Sequence, residues 1–222
     1  MRSIHTITSS TTKIFMEQMR NLLISYGGVV DSESITGSSA DYFLMSFPVL
    51  NPGHQFRFAM SSTTYSVACC KLGSTTEFVW INGISKTYIL NTIEVVIITD
   101  DNLLVLITRS STDYLNFYIT PFGNSHKVSG VRDKAAKYLD DTVYNFSSLN
   151  YDYDATTADG KIYLSPILLL ALGATFYTDI YAMSYIHKGT NISPGVRMGD
   201  YLEDTLNYYY WLGNNLYCKL AK

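Results

Sequence analysis

With 222 residues the chain is long enough for one large all-β or α+β domain, or two small ones, and for a real core. Hydrophobic residues make up 47% and charged residues only 16%, well under the roughly 25% usual in soluble domains, so Ser, Thr, Asn and the 19 Tyr must cover much of the surface. The net charge of −3, a pI near 5.7 and the lack of any Lys or Arg run argue against binding by phosphate neutralisation, and so against nucleic acid as a partner.

The start, MRSIHTITSSTTKIF, has one Arg and no apolar stretch behind it, which is not the pattern of a signal peptide. In TTKIFMEQMRNLLISYGG, Phe15, Met19, Leu22, Leu23 and Tyr26 recur at helical spacing. Ser10 to Thr12 offer a cap and Gly27 a terminator, so residues 1–28 are expected to form an N-terminal amphipathic helix packed on the protein's own sheet. Residues 29–41 are small, polar and glycine-bearing and have the composition of a loop.

Strands are expected next. In QFRFAM, Phe56, Phe58 and Met60 fall on one face and Gln55, Arg57 and Ala59 on the other. TYSVACCKL and EFVWI continue the pattern. IEVVIITDDNLLVLITR predicts a hairpin turning at Asp100, Asp101 and Asn102, with both arms apolar at nearly every position, as in central strands covered on both faces. DYLNFYI alternates Leu115, Phe117 and Ile119 against Tyr114, Asn116 and Tyr118. Residues 29–122 are therefore expected to form an antiparallel β meander, with its strands running over roughly 42 to 120.

Residues 123–222 form a mixed segment expected to pack with that sheet as one domain. In VRDKAAKYLDDTVYNF, Ala135, Ala136, Leu139 and Val143 have helical spacing, but β-branched and aromatic neighbours leave helix and non-helix equally open. KIYLSPILLLALGATFYTDIYAMSYI is strongly apolar, and Pro166 disfavours an uninterrupted central strand or helix. Its longest apolar run, Ile167 to Leu172, is far short of the roughly 18 to 20 residues that span a bilayer, so no membrane partner is expected. LNYYYWLGNNLYCKLA predicts a closing hairpin that places Tyr208 and Tyr210 on one face, Tyr209 and Trp211 on the other. The fold class is thus α+β and β-rich, a meander, sandwich or barrel-like antiparallel sheet with an N-terminal helix and a C-terminal β-hairpin.

Motifs for chemistry are sparse. Cys69 and Cys70 are adjacent and Cys218 is distant, which predicts buried reduced thiols made in a cytosol. His5, His54, His126 and His187 lie apart and lack zinc-site spacing. YDYDATTADGK brings Asp152, Asp154 and Asp159 together, but an EF-hand would need Gly where Thr157 stands and Glu where Tyr163 stands. No GxSxG, phosphate loop, dinucleotide fingerprint or HExxH occurs. The pairs Asp100 with Asp101 and Asp140 with Asp141 sit in turn-like contexts. No enzyme activity, cofactor or metal is expected, an enzyme built from scattered acids and histidines being the least favoured alternative.

The ending, with Pro166, Gly173, Pro194, Gly195, Gly199 and Asp200, then Tyr210 to Leu212 and Leu216 to Leu220, resembles the carboxyl-terminal region of virion proteins of tailed bacteriophages. The likeness covers about the last sixty residues. Where those proteins tend to carry a Gly-rich turn after the apolar segment, this chain has ATFYTDIYAM, so no catalytic or ligand residue carries over. The resemblance implies a structural part of a tail, neck or baseplate, a homo-oligomer in contact with other virion proteins and made in the host cytoplasm. Tyr114, Tyr118, Tyr209, Tyr210 and Trp211 are then the expected interface residues, since aromatic rings are enriched where stable partners meet. The alternative is a carbohydrate- or receptor-binding module of a phage tail that uses Trp80, Trp211 and exposed Tyr rings.

Overall fold

The structure is a computed structural model that describes residues 1–74, 77–80, 84–122, 126–131, 134–137, 143–145, 162–171, 174–185, 197–213 and 216–222. Its strands are assigned to two antiparallel sheets. The first has the order β2 (Val29–Ser34), β3 (Tyr42–Phe47), β4 (Asn51–Met60), β5 (Thr64–Lys71) and β6 (Glu77–Trp80), with the short β7 (Ile84–Ser85) beside β5. The second begins with β1 (Arg2–Thr8), β8 (Thr92–Thr99), β9 (Leu104–Arg109) and β10 (Asp113–Phe122), in that spatial order. From β10 one branch continues through β11 (His126–Val131), β12 (Lys134–Lys137) and β13 (Val143–Asn145). The other continues through β15 (Ala174–Tyr185), β18 (Leu216–Ala221), β17 (Asn207–Gly213) and β16 (Tyr201–Glu203), with β14 (Ile162–Ala171) paired to β15.

The long helix α1 (Thr12–Ile24) starts where the Thr11 hydroxyl accepts the Ile14 N–H at 3.2 Å. It buries Phe15, Met16, Met19 and Leu23 against the sheets and ends at Gly27, whose φ of 86° is the left-handed conformation that closes a helix. A single turn, α2 (Lys86–Ile89), leads into β8.

Two cores share the β8–β9 hairpin. Val95, Ile97, Leu104 and Leu106 point into a core formed with α1 and with Phe43, Phe56, Phe58 and Val67 of the first sheet. Val96, Ile98, Val105 and Ile107 point the other way, under Tyr210, Leu212, Cys218 and Leu220 of the C-terminal hairpin. Apolar residues at every position are what a strand covered on both faces requires, and each such side chain contributes about 1.5–3 kcal/mol by leaving water. The turn is set by Asp100, whose Oδ1 accepts the N–H groups of Asn102 and Leu103, both at 2.7 Å.

Several expectations need correction. Residues 2–8 are a strand rather than the start of the helix, because RSIHTIT pairs along its whole length with β8. Residues 29–34 form β2, not loop. The meander is divided, with β3 to β7 in one sheet and β8 to β10 in the other. Alternation in β10 breaks at Asn116, where a bulge against β9 turns Leu115 and Tyr118 toward one core and Phe117 and Ile119 toward the other. Of the segment left open between helix and non-helix, residues 134–137 and 143–145 are extended, as β12 and β13. As expected for a residue that disfavours an uninterrupted central strand, Pro166 lies at a register shift in β14, whose described partner is β15 alone, the setting in which a missing N–H is tolerated.

Candidate functional site

The C-terminal hairpin carries three of the five aromatic residues expected at an interface, Tyr209, Tyr210 and Trp211. In β17, Tyr208 and Tyr210 face the second core, and Tyr201 of β16 lies across from Tyr210. The three rings cluster edge-on or tilted, with centroids 4.9 Å apart for Tyr201 and Tyr208, 5.5 Å for Tyr201 and Tyr210, and 6.0 Å for Tyr208 and Tyr210. Lys222 places its ammonium 5.0 Å from the Tyr208 ring centre and 2.7 Å from Glu203. The link from β16 to β17 turns on Asp204, which accepts the N–H groups of Leu206 at 2.8 Å and Asn207 at 2.7 Å and the Tyr209 hydroxyl at 2.9 Å. Those donors, the Leu206 N–H foremost, hold its carboxyl down at about 2.

A knot of charges anchors this hairpin to the sheet beneath. Arg109, only 5% exposed at the end of β9, donates from Nη2 to Asp200 at 2.6 Å and from Nε to the Met198 carbonyl at 2.6 Å. Arg2 of β1 reaches the same Asp200 oxygen at 3.1 Å. Arg197 grips Asp113 at 2.7 Å and Glu94 at 3.4 Å, and the Met198 N–H adds a bond to Asp113 at 3.0 Å. The same turn is stitched to the aromatic row, with the Gly199 N–H on the Trp211 carbonyl at 2.7 Å and the Trp211 N–H on the Asp200 carbonyl at 2.8 Å. Burial pushes the Asp200 carboxyl up, but the Arg197 N–H and the Arg109 guanidinium outweigh it and hold the group below the ordinary range.

The five expected interface residues are brought to different places. Tyr118 is 1% and Tyr210 4% exposed, both enclosed in the second core, so neither ring is presented to a partner. Tyr114 packs on the first core, half-buried. Tyr209 and Trp211 share the opposite face of β17 and stay half-buried. On that same face of the hairpin Tyr217 is enclosed, and burial pushes its phenol up to about 12. The sequence reading missed Tyr201, 44% exposed on the edge strand, and Leu206, 71% exposed at the turn. Their signal was present in YLEDTL, an apolar pair set in an acidic turn, but a strand of three residues is too short to show a period.

His5 meets the Tyr26 hydroxyl at 2.7 Å. His54 is buried with Nδ1 3.4 Å from the Asn51 amide, which also bonds the buried Ser129 hydroxyl. Cys69, Cys70 and Cys218 are buried thiols, as expected. Among the described residues no three His, Cys, Asp or Glu side chains gather as a metal site, and no helix is long and apolar enough to cross a membrane. The Asp152, Asp154 and Asp159 cluster and His187 lie outside the described residues. An open groove of about 450 Å³ is lined by Ser62, Thr63, Ser85, Lys86, Thr87, Leu90 and Asn91. Comparison with protein-family models, with curated proteins and with solved structures gives no match.

Proposed function

We propose that the chain is a non-enzymatic structural subunit of a bacteriophage virion, in the tail, neck or baseplate, that works by associating with copies of itself and with other virion proteins. The observation that carries this reading is the margin of the C-terminal hairpin. Tyr201 stands exposed there on the edge strand β16 and Leu206 at the turn that follows it, and Asp200, just before the strand, is tied to the sheet by Arg109. A ring whose backbone is already fixed loses little freedom on docking, and aromatic and aliphatic groups of this kind form the centre of stable interfaces. The C-terminal resemblance to phage virion proteins supplies the setting.

The test is solution mass by light scattering, joined to mass spectrometry of intact particles. A defined oligomer, or fixed copy number in particles, is the expected result. The double variant Tyr201→Ala with Leu206→Ser should weaken association while leaving the melting temperature within a few degrees. A monomer at every concentration that is absent from particles overturns the reading.

The polar groove beside α2 favours a second reading, a carbohydrate-binding module, since hydroxyls, an amide and Lys86 converge there. A glycan array decides it. Binding lost on Lys86→Ala would support this reading, and silence across the array would remove it.

A further inference from the structure

We propose that the outer edge of β1 pairs, antiparallel, with β1 of a second copy about a two-fold axis through Ile4. This deepens the assembly reading above and rests on it. Among the described residues, β1 pairs with β8 on one side and no strand pairs with the other. Its register with β8 runs unbroken from Arg2 to Thr8, so every second residue directs its N–H and C=O groups away from the sheet. An edge of that kind accepts an extended strand and little else.

The other described edges carry devices that discourage pairing. β2 has a bulge between Val30 and Ser32, and its Asp31 and Glu33 would oppose like charges in a partner copy. β14 has Pro166 at a register shift. β13 and β16 are three residues long, and β6 and β7 are four and two. Only β1, among these, is long and regular and lacks acid, Pro and bulge.

The sequence of β1 is complementary to itself. A two-fold axis through Ile4 sets Ile4 against its own copy, Arg2 against Thr6 and Ser3 against His5, so no like charges meet. Ile4 is 48% exposed in the single chain, and this register buries it. The charged group of the strand is already engaged, Arg2 with Asp200, and the His5 ring is held by the Tyr26 hydroxyl. A foreign strand would have no such match built in, and so a second copy is the occupant the edge fits. Pairing would join two sheets into one continuous sheet across the dimer.

The experiment is a concentration series by sedimentation velocity on the wild type, Ile4→Lys and Ile4→Glu, with hydrogen exchange of residues 2–8 in the wild type at low and high concentration. Because Ile4 is half exposed, both variants are expected to keep the wild-type far-ultraviolet spectrum. Each variant alone places like charges across the axis and should associate roughly tenfold more weakly, and mixing the two should restore association. In the wild type, the outward amides of Arg2, Ile4 and Thr6 should gain protection as concentration rises. An oligomer of unchanged affinity in both variants, with no gain in protection of those amides, overturns the β1 pairing and leaves the assembly reading on another surface. A wild-type monomer throughout overturns both.

Discussion

Arg109 and Asp200 meet at 2.6 Å although 91 residues separate them, and that contact joins the end of a central strand to the turn that carries the aromatic row. Removing the guanidinium leaves Asp200 with Arg2 and the Arg197 N–H and strips the Met198 carbonyl of a donor. Arg109→Met should therefore cost about 2 kcal/mol, discounted from a fully buried pair because Asp200 is a third exposed. Urea denaturation measures the loss. Thiol labelling locates it, with Cys218 under the hairpin expected to react sooner than Cys69 or Cys70 in the first sheet.

Acid should weaken the fold through Asp200 and Asp41, in addition to the exposed Asp204 at the hairpin turn. Asp200 is held low as described, and Asp41 likewise, where burial raises the carboxyl but bonds from Thr36, Gly37 and Ser38 outweigh it. Both folded values lie below the ordinary 3.8, so the unfolded chain takes up protons first as pH falls. Their stabilisation is full above the ordinary carboxylate range and is lost as pH drops through it toward the folded values. Urea midpoints should hold from about pH 7 to 5 and fall as the pH drops below about 4. Asp41→Asn should lower the neutral plateau and flatten the acid limb, and an unchanged limb in that variant would refute the assignment.

Tyr65 tests the opposite case. Its ring is fully buried edge-on to Phe15 at 5.0 Å, and its hydroxyl has no hydrogen-bond partner among the described residues. Burial alone drives its phenol far above the usual value. Tyr65→Phe should leave stability unchanged or raise it by about 1 kcal/mol, since an unmade bond is removed and the ring is kept. A calorimetric melt shows the sign, and a clear loss would mean the hydroxyl has a partner.

Gly199 is the position where the knot leaves no room. Its φ is +83°, and a Cβ there would lie 3.1 Å from Val96 Cγ1 and 3.3 Å from Arg109 Nη2. Gly199→Ala should cost about 1–3 kcal/mol from backbone strain and crowding together. The unfolding midpoint of this variant should fall, and combining it with Arg109→Met should cost less than the sum, because both loosen the same turn.

Much of the frame was legible because some segments can be satisfied in only one way. IEVVIIT and LLVLIT are apolar on both faces, and a doubly covered hairpin is what they became. The α1 stripe and its Thr11 cap were equally plain. Strand β1 was not, since its partner lies some ninety residues on and a mixed seven-residue stretch carries no strong period. Tyr118 was expected to face outward on the premise of one covered face, whereas the hairpin covers the other. The bulge at Asn116 defeats any strict period-two reading, because one extra residue exchanges the faces beyond it. The charge knot draws on residues 2, 94, 109, 113, 197 and 200, a set that no linear spacing can reveal.

Because β8 and β9 serve two cores, the order in which the chain leaves the ribosome matters. Their hairpin closes locally and the first sheet precedes it, so one face is covered early. The other face, with Val96, Ile98, Val105 and Ile107, waits for residues 208–220, about a hundred positions later. During that interval a sticky aliphatic strip is open to solvent on every nascent chain, and ribosomal pausing before the last stretch would lengthen the exposure. Truncations that remove the hairpin should therefore yield insoluble protein even though the first core is complete.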